Sequence, residues 1–328
     1  MAKSFNQKGK MIKLLQILQE LTDNNHKLNT PQILKELEQY EIKAERKSIY
    51  DDIACLNDLG YDIECDKKRD GGFYMASRDI EKYELMPLVD AVSSSRFITE
   101  KKSRELIKKL ESLLSVYEAR ELDRSVYVSN RIKSDNESIY YTLDSIHDAL
   151  YRKKKISYLY CEWNVDKELV PRKNGKLYIT NPLGLTWDDE KYYLIGYDDE
   201  ASDIRHYRVD KMKDIEVLDD NLSDIDLIRN FDIVSYCNKT FGMYGGKEES
   251  VTLLFPSRLA GVAIDRFGKE PTFRKMQNGE YFQVRVKVCV SNQFFGWLTG
   301  LGSDVSIVSP QYVVDDYREF INQIVHKY

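Results

Sequence analysis

Apolar residues near the N-terminus recur every three to four positions in three segments, and two short alternating runs follow them. We interpret Thr30 as the cap of the second segment, with Pro31 at its first helical position, and Gly60 as the end of the third. Three helices followed by a hairpin are the order of a winged helix-turn-helix. The predicted elements are helices at residues 8–22, from Pro31 to about Leu37, and at 44–59, and strands at 61–65 and 73–76.

The middle of the chain is helical up to about residue 155 and then changes to short strands. One helix that leads into about five short strands, up to about residue 218, favours a small barrel. The predicted helices are residues 83–94, 101–117 and 138–155, and the predicted strands are 156–160, 167–170, 176–185, 192–197 and 205–209.

After residue 221 the pattern is mixed, and Gly242, Gly245 and Gly246 indicate a linker. The rest of the chain alternates between strands and helices in the order of a small α+β domain similar to a ferredoxin-like arrangement. Its predicted elements are strands at 251–255, 272–276, 281–290 and 305–308, and helices at 257–268, 291–300 and 310–327.

We therefore predict an α+β multidomain protein. A chain of 328 residues is too long for one ordinary core, which agrees with several domains. The predicted parts are a winged helix-turn-helix domain at 1–78, a helical connector at 79–134, a strand-rich domain at 135–221, a linker at 222–246 and a C-terminal α+β domain at 247–328.

Composition indicates a globular protein of a reducing compartment, which we expect to be the cytoplasm. The five cysteines show no zinc-binding spacing, no apolar run is long enough to span a membrane, and the N-terminus lacks the apolar core of a secretion signal. The net charge of −5 gives no general attraction for nucleic acid. Residues 1–76 contain 12 Lys and Arg against 13 Asp and Glu, so a nucleic-acid surface there requires local clustering.

Basic residues cluster at two places in the N-terminal domain. Arg46 and Lys47 lie in the first turn of the third helix, the end that enters the major groove in helix-turn-helix proteins. Residues 67–72 form a basic turn suited to neighbouring phosphates. The alternative is that these residues are solvated surface charges on a three-helix scaffold with no role in binding. The candidate DNA-binding residues are Arg46, Lys47, Ser48, Tyr50, Lys67, Lys68 and Arg69.

A second group of aromatic and basic residues lies between residues 181 and 212. Two strand-like runs joined by a polar turn carry guanidinium and imidazole groups beside tyrosine, which suits an anion or a nucleobase better than bond breaking. Arg205 and Arg208 are an odd number of residues apart, so in an ideal strand they point to opposite faces. Both line one pocket only if a bulge intervenes or Arg205 lies in the turn; otherwise one arginine is structural.

These segments resemble the WYL-domain transcriptional regulators over nearly the whole chain. The third-helix sequence ERKSIYDDI, residues 45–53, is similar to the recognition helix of that family, and residues 69–74 are similar to its wing. The name-giving tripeptide falls on Tyr192-Tyr193-Leu194, with tyrosine in place of tryptophan. Residues 181–185 and 204–212 match the pattern of the family, and the last domain resembles its C-terminal extension.

The resemblance implies an Sm-like barrel at residues 135–221 and a homodimeric regulator that binds a double-stranded DNA operator. It also implies a nucleic-acid or nucleotide-like effector, whose candidate ligands are Tyr193, Arg205, His206 and Arg208. Arg172, which follows Pro171, is a further candidate cation at this site. His206 and Tyr193 have alternative roles as a structural histidine and a core residue.

Two other functions compete with this interpretation. A barrel face with tyrosine and arginine is also suited to stacking single-stranded bases, as in an RNA- or DNA-binding accessory protein of a defence system. An enzyme is disfavoured because the sequence has no phosphate-binding loop, no GxSxG, no HExxH and no Cys/His cluster. We expect no catalytic residue, no metal site, no cofactor and no membrane partner.

Overall fold

The computed structural model describes residues 3–68, 71–122, 133, 138–276 and 279–328, with residues 3–8 described by their backbone alone. The chain forms two compact units, Met1–Asp135 and Asn136–Tyr328. Each unit contains helices and at least one β-sheet, so the predicted α+β multidomain class is confirmed.

The first unit begins with three helices and a hairpin. The apolar stripes of the helices meet in one core, in which Leu14, Leu37 and Ile49 are fully buried. The two strands pair antiparallel, and a bridge between Leu28 and Phe73 joins the hairpin to the loop after the first helix. The elements are α1 (Lys3–Leu21), α2 (Thr30–Glu38), α3 (Arg46–Asp58), β1 (Ile63–Cys65) and β2 (Phe73–Met75).

The cap of α2 is Asn29, so the prediction of Thr30 was wrong by one residue. The Asn29 side chain accepts a hydrogen bond from the backbone N–H of Gln32, and the Gln32 side chain accepts one from the N–H of Asn29. A capping box requires a side chain three residues after the cap that accepts a hydrogen bond from the backbone N–H of the cap. For Asn29 this side chain is Gln32. At the other end of the motif, Gly60 follows α3 with a φ of +98°, a conformation that favours glycine.

Three connector helices complete the described part of the first unit. They are α4 (Lys82–Ser94), α5 (Glu100–Glu111) and α6 (Val116–Leu122). Leu85, Leu114 and Leu122 form a small core between them.

Two buried charged side chains join these helices to the three-helix core. The Arg78 guanidinium donates hydrogen bonds to the carbonyl oxygens of Gln19 and Thr22, each at 2.7 Å, and to that of Leu113 at 3.3 Å. The Asp23 carboxylate accepts a hydrogen bond from Ser115 Oγ at 2.6 Å. Arg78 therefore satisfies carbonyl groups at the end of α1 and also holds the α5–α6 turn, an arrangement that we call the Arg78 joint.

The second unit begins with one helix and a six-stranded antiparallel sheet. The rings of Tyr158, Tyr160, Tyr178 and Tyr207 pack together, with centroids 5.3 to 6.5 Å apart, and form the aromatic centre of the sheet. The elements are α7 (Ile139–Arg152), β3 (Lys154–Trp163), β4 (Leu169–Pro171), β5 (Leu177–Asp188), β6 (Lys191–Asp198), β7 (Asp203–Arg208) and β8 (Met212–Asn221).

The expected closed, Sm-like barrel is not confirmed. The strand order is β4–β3–β5–β6–β7, and β8 pairs with β3. Among the described residues no pairing of β7 with β8 closes the sheet. The sequence also did not predict β8 as a separate strand, because its polar residues lack the apolar alternation and its position depends on pairing with β3.

The segment 222–246, predicted as a linker, contains two short helices. These are α8 (Asp226–Arg229) and α9 (Ile233–Lys239). Gly184 on β5 leaves room for α9, since a Cβ atom at that position would lie 2.2 Å from Ile233 Cδ1. The helix α9 thus packs on the six-stranded sheet.

The C-terminal part is a four-stranded antiparallel sheet with helices on one face. The strand order β10–β11–β9–β12 and the succession β-α-β-β-α-β are those of a ferredoxin-like topology. Val251, Phe255, Val284, Phe294 and Val313 lie in its core. The elements are β9 (Lys247–Pro256), α10 (Ala260–Phe267), β10 (Phe273–Lys275), β11 (Tyr281–Val290), α11 (Asn292–Gly300), β12 (Ser306–Ser309) and α12 (Gln311–Val325).

Candidate functional site

The first turn of α3 presents two basic side chains to solvent. The apolar stripe of α3 faces the core and consists of Ile49, Ile53 and Leu56. Arg46 and Lys47 lie outside this stripe and are exposed. Neither side chain forms a hydrogen bond or ion pair with another described residue. Both are therefore available to a partner outside the chain.

Two other DNA-binding candidates on α3 already have partners within the domain. Lys10 Nζ on α1 donates a hydrogen bond to Ser48 Oγ and forms an ion pair with Asp52 at 2.7 Å. Because Lys10 is only 7% exposed, this contact braces α3 against α1. Ser48 thus has a structural contact in addition to any role at the surface.

Tyr50 combines packing with exposure. Its ring lies edge-on to Phe73 with centroids 5.4 Å apart, and its hydroxyl accepts a hydrogen bond from Thr30 Oγ1 at 3.3 Å. The residue is nevertheless 48% exposed, so part of the ring remains on the surface. Tyr50 therefore ties α3 to the hairpin while it faces solvent.

The turn between β1 and β2 exposes Lys67 and Lys68. The neighbouring carboxylate of Asp66 accepts hydrogen bonds from Lys27 Nζ at 2.6 Å and from the backbone N–H of Lys68. The hydrogen bond from Lys27 lowers the pKa of Asp66. Since Lys27 neutralises Asp66, the two exposed lysines keep their positive charge available. The seventh candidate, Arg69, lies outside the described residues.

In the six-stranded sheet, three of the five effector-site candidates share one face. Tyr193 on β6 is directly opposite Arg208 on β7, and Ile195 is opposite His206. Cross-strand partners lie on the same face, and residues two apart on a strand do as well. Tyr193, His206 and Arg208 therefore lie together.

Arg205 lies on the opposite face. The pairing of β6 with β7 is continuous from residue 203 to residue 208, without a bulge, so the odd spacing separates Arg205 from Arg208. Arg205 is exposed, and its guanidinium lies 3.8 Å from the Asp203 carboxylate. The structure thus does not bring the two arginines into one pocket.

Arg208 is the best-oriented cation of the group. It donates hydrogen bonds from Nε and Nη2 to the Asp210 carboxylate at 3.0 and 2.6 Å, and these raise its pKa. Its backbone N–H donates to the Tyr160 hydroxyl at 3.1 Å. Burial raises the pKa of the neighbouring Tyr193 phenol. Both tyrosines therefore remain neutral hydrogen-bonding groups beside a fixed guanidinium.

Lys211 joins this cluster, although the sequence did not single it out. Burial lowers the pKa of its ammonium group, and the nearby positive charge of Arg208 lowers it further. Lys211 forms no hydrogen bond or ion pair with another described residue. A partly buried cation beside a second cation is stabilised when an anion binds, and this makes Lys211 a ligand candidate.

Arg172 lies at the margin of the cluster. Its guanidinium forms an ion pair with Glu162 at 3.0 Å, and its charge acts on both Lys211 and Tyr160. Arg172 is half exposed, so it remains accessible to a ligand that reaches Arg208 and Lys211.

His206 is half-buried beside the segment 222–246. Its ring lies 5.5 Å from that of Tyr236 on α9, and its Nε2 atom is buried without a hydrogen-bond partner in the described structure. Burial lowers the pKa of His206 and favours the neutral ring. This placement agrees with the structural alternative for His206, since the ring packs between β7 and the residues that follow the sheet.

The group formed by Tyr193, Arg208, Asp210 and Lys211, with Arg172 at its margin, is named here the anion cluster. It offers a guanidinium, an ammonium group and a phenol to a ligand that carries a phosphate or carboxylate. Among the described residues, no three or more His, Cys, Asp or Glu side chains are placed to hold a metal ion.

Comparison with known proteins gives one family match. Residues 141–217 match the family model of the WYL domain, a range that runs from α7 into β8 and contains all five effector-site candidates. A search of curated proteins returned no significant match. In the described part of the chain, each helix is too short or too polar to cross a membrane.

Two solved structures are similar to the chain at low identity. Proteasome accessory factor B/C (PafBC) of Arthrobacter aurescens is 16% identical, with a TM-score of 0.29, and the match covers 98% of this chain and 49% of that one. A CRISPR Cas-related protein is 15% identical, with a TM-score of 0.36, and the coverages are 98% and 84%. The chain thus spans about half the length of the PafBC chain. Such TM-scores do not define a shared overall architecture.

Proposed function

We propose that this protein is a DNA-binding transcriptional regulator that responds to a nucleic-acid or nucleotide-like effector. The observation that carries the proposal is the exposure of Arg46 and Lys47 at the start of α3, where neither has a partner among the described residues. A helix whose first turn carries free cations is the part that a helix-turn-helix domain inserts into the major groove.

In this proposal α3 reads the bases and the hairpin turn binds the backbone. Arg46 is able to contact guanine with two hydrogen bonds, a contact that discriminates between bases by about 1–3 kcal/mol. Lys67 and Lys68 bind phosphates, which adds affinity that depends on salt but not on sequence. The brace from Lys10 to Ser48 and Asp52 holds α3 in a fixed orientation for this purpose.

The anion cluster is the proposed effector site. Arg208 is held by Asp210 and therefore points in one direction, while Lys211 is partly buried and forms no direct ion pair with another described residue. A phosphate satisfies both cations, and the Tyr193 ring offers a surface against which a base is able to stack. The residues 141–217 that match the WYL domain contain this cluster.

The proposed regulator acts as a homodimer on a two-fold related operator. Two α3 helices then occupy half-sites about one turn of DNA apart. The effector changes operator affinity only if it binds one dimer arrangement more tightly than another.

Operator binding is tested by fluorescence anisotropy with duplex DNA from the promoter upstream of the gene. Replacing both Arg46 and Lys47 with alanine is expected to weaken specific binding by about 5- to 150-fold, from about 1–3 kcal/mol for the lost base contact. The matched control replaces Lys108 and Lys109, two exposed lysines of α5, and should leave affinity unchanged. Equal affinities for the two double variants would contradict the proposal.

Effector binding is tested by recovering nucleic acids and nucleotides that co-purify with the protein. Arg208→Lys keeps the charge but loses the two-pronged contact with Asp210, and Lys211→Ala removes the free ammonium group. Both are expected to reduce the recovered ligand and the response of operator binding to it. Arg205→Ala, on the opposite face, is the matched control. Single-strand binding without any duplex affinity would instead favour the accessory-protein alternative.

A further inference from the structure

The C-terminal sheet leaves most of one face uncovered, with Cys289 at the end of β11 buried beside α9. Val251 and Leu253 on β9 and Val284 on β11 point into a core that also contains Phe294 of α11 and Val313 of α12, so these helices lie on one side. The alternate residues of the strands point to the other side. We call this side the open face, and its polar members are Glu248, Ser250, Thr252, Arg274, Tyr281, Gln283, Arg285, Lys287 and Ser306.

The open face is positively charged in a chain whose net charge is −5. Arg274 is exposed and has no hydrogen bond or ion pair among the described residues. Arg285 donates one hydrogen bond, from Nε to Ser250 Oγ at 2.9 Å, and the remaining donors of its guanidinium have no other partner in the described structure.

One carboxylate, Glu248, lies at the margin of this surface. Its distance to Lys287 is 3.7 Å, but Lys239 binds it more closely at 2.9 Å. Lys287 remains 68% exposed. Three cations of the open face are therefore opposed by one carboxylate that another lysine already neutralises.

The spacing of these cations suits an extended polyanion. Lys287 is two residues beyond Arg285 on β11, or about 6.8 Å along the strand. Arg274 is opposite Gln283, which places it diagonally from Arg285 at about 7–8 Å. A chain of phosphates at similar intervals is able to meet one cation after another.

The rest of the face is neutral and rich in hydrogen-bonding groups. Gln283, Ser250 and Thr252 lie between the cations and are half-buried. Tyr281 precedes Gln283 by two residues on β11 and is also half-buried, so little aromatic surface is offered for stacking. These features favour contacts to phosphate and sugar over base stacking.

We propose that the open face of the C-terminal sheet binds the phosphate backbone of single-stranded nucleic acid with little base preference. A four-stranded sheet is a known platform for single strands, and phosphate contacts supply sequence-independent affinity. This site lies on a different sheet from the anion cluster and does not depend on the function proposed above.

The test uses the full chain with Arg46, Lys47 and Arg208 replaced by alanine, which weakens the other two proposed nucleic-acid sites. Labelled oligo(dT) and oligo(U) are titrated at several salt concentrations and followed by fluorescence anisotropy. Adding Arg274→Ala and Arg285→Ala is expected to lower affinity at least 10-fold in low salt. Each lost phosphate contact should reduce the salt slope by about 0.7, and so the pair by about 1.4.

Two controls make the outcome decisive. Arg258→Ala with Arg318→Ala removes two exposed arginines of the same domain that lie outside the open face, and should change neither affinity nor slope. Arg274→Lys with Arg285→Lys should restore the slope. Equal losses for the two alanine pairs overturn the proposal. The proposal is also overturned if poly-glutamate binds with the same affinity as oligo(U) and loses as much affinity in the Arg274→Ala, Arg285→Ala pair. The surface would then accept any polyanion. Duplex operator binding, measured separately on the wild-type chain, reports on the N-terminal domain, where α3 and the hairpin turn are the proposed contacts.

Discussion

Replacing Arg78 should detach the three-helix core from the connector helices. The side chain is 9% exposed and gives hydrogen bonds of 2.7 Å to the carbonyl groups of Gln19, in α1, and Thr22, just after it, and a longer one to Leu113. A hydrogen bond that involves a charged group contributes about 1.5–3 kcal/mol. In Arg78→Ala water rehydrates part of the freed carbonyl groups, so we expect the loss to be about 3 kcal/mol.

The tryptophans allow the two compact units to be followed separately. All three, Trp163, Trp187 and Trp297, lie in the second unit. Urea unfolding of Arg78→Ala should therefore show an earlier loss of helical circular dichroism and an unchanged tryptophan transition. For an m-value of about 1.5–2 kcal/mol/M, the midpoint of the first unit should fall by about 1.5–2 M.

Two variants define the result. Arg78→Lys keeps the charge but cannot bridge all three carbonyl groups, so about half of the loss is expected. Arg104→Ala removes an exposed arginine paired with Glu100, a contact that contributes about 0.3–0.5 kcal/mol, and should leave both transitions in place. An Arg78→Ala midpoint indistinguishable from that of Arg104→Ala would refute the role assigned to the joint.

Two further predictions follow from the packing of single residues. Gly72→Ala should destabilise the first unit by about 1–3 kcal/mol, because its Cβ would lie 2.4 Å from the Leu28 carbonyl oxygen; an unchanged circular dichroism transition would contradict this. His206 has a pKa lowered by burial, so its contribution to stability is complete above the unfolded value of about 6.5 and is lost as the pH falls through the lower folded value. The tryptophan transition should thus weaken on acidification below about pH 6.5, and His206→Gln should reduce that dependence; identical pH profiles would argue against it.

Elements with a strong local pattern were predicted closely from the sequence. The strand expected at 281–290 is β11, and the helix expected at 291–300 differs from α11 by one residue at its start. Both have regular apolar spacing, and this pattern depends only on residues that are close together in the sequence. The strand β8 was missed, since its polar residues are placed by pairing with β3 more than 50 residues earlier.

The candidate residues show the same difference between features set by local sequence and features set by distant partners. The exposure of Arg46 and Lys47 was predictable because both lie outside the apolar stripe of their own helix. The partners of Ser48 and Arg78 were not, because Lys10 is 38 residues from Ser48 and the Thr22 carbonyl is 56 residues from Arg78.

Periodicity alone was therefore sufficient to establish three N-terminal helices with a hairpin, a strand-rich middle and a β-α-β-β-α-β C-terminal part. Folding in three dimensions was needed to separate Arg205 from Arg208, to add Lys211 to the anion cluster and to place the His206 ring against α9. The physical reason is how far apart along the chain the interacting residues lie. Apolar alternation is set by neighbouring residues, whereas desolvation and hydrogen bonding depend on atoms that the chain brings together from distant positions.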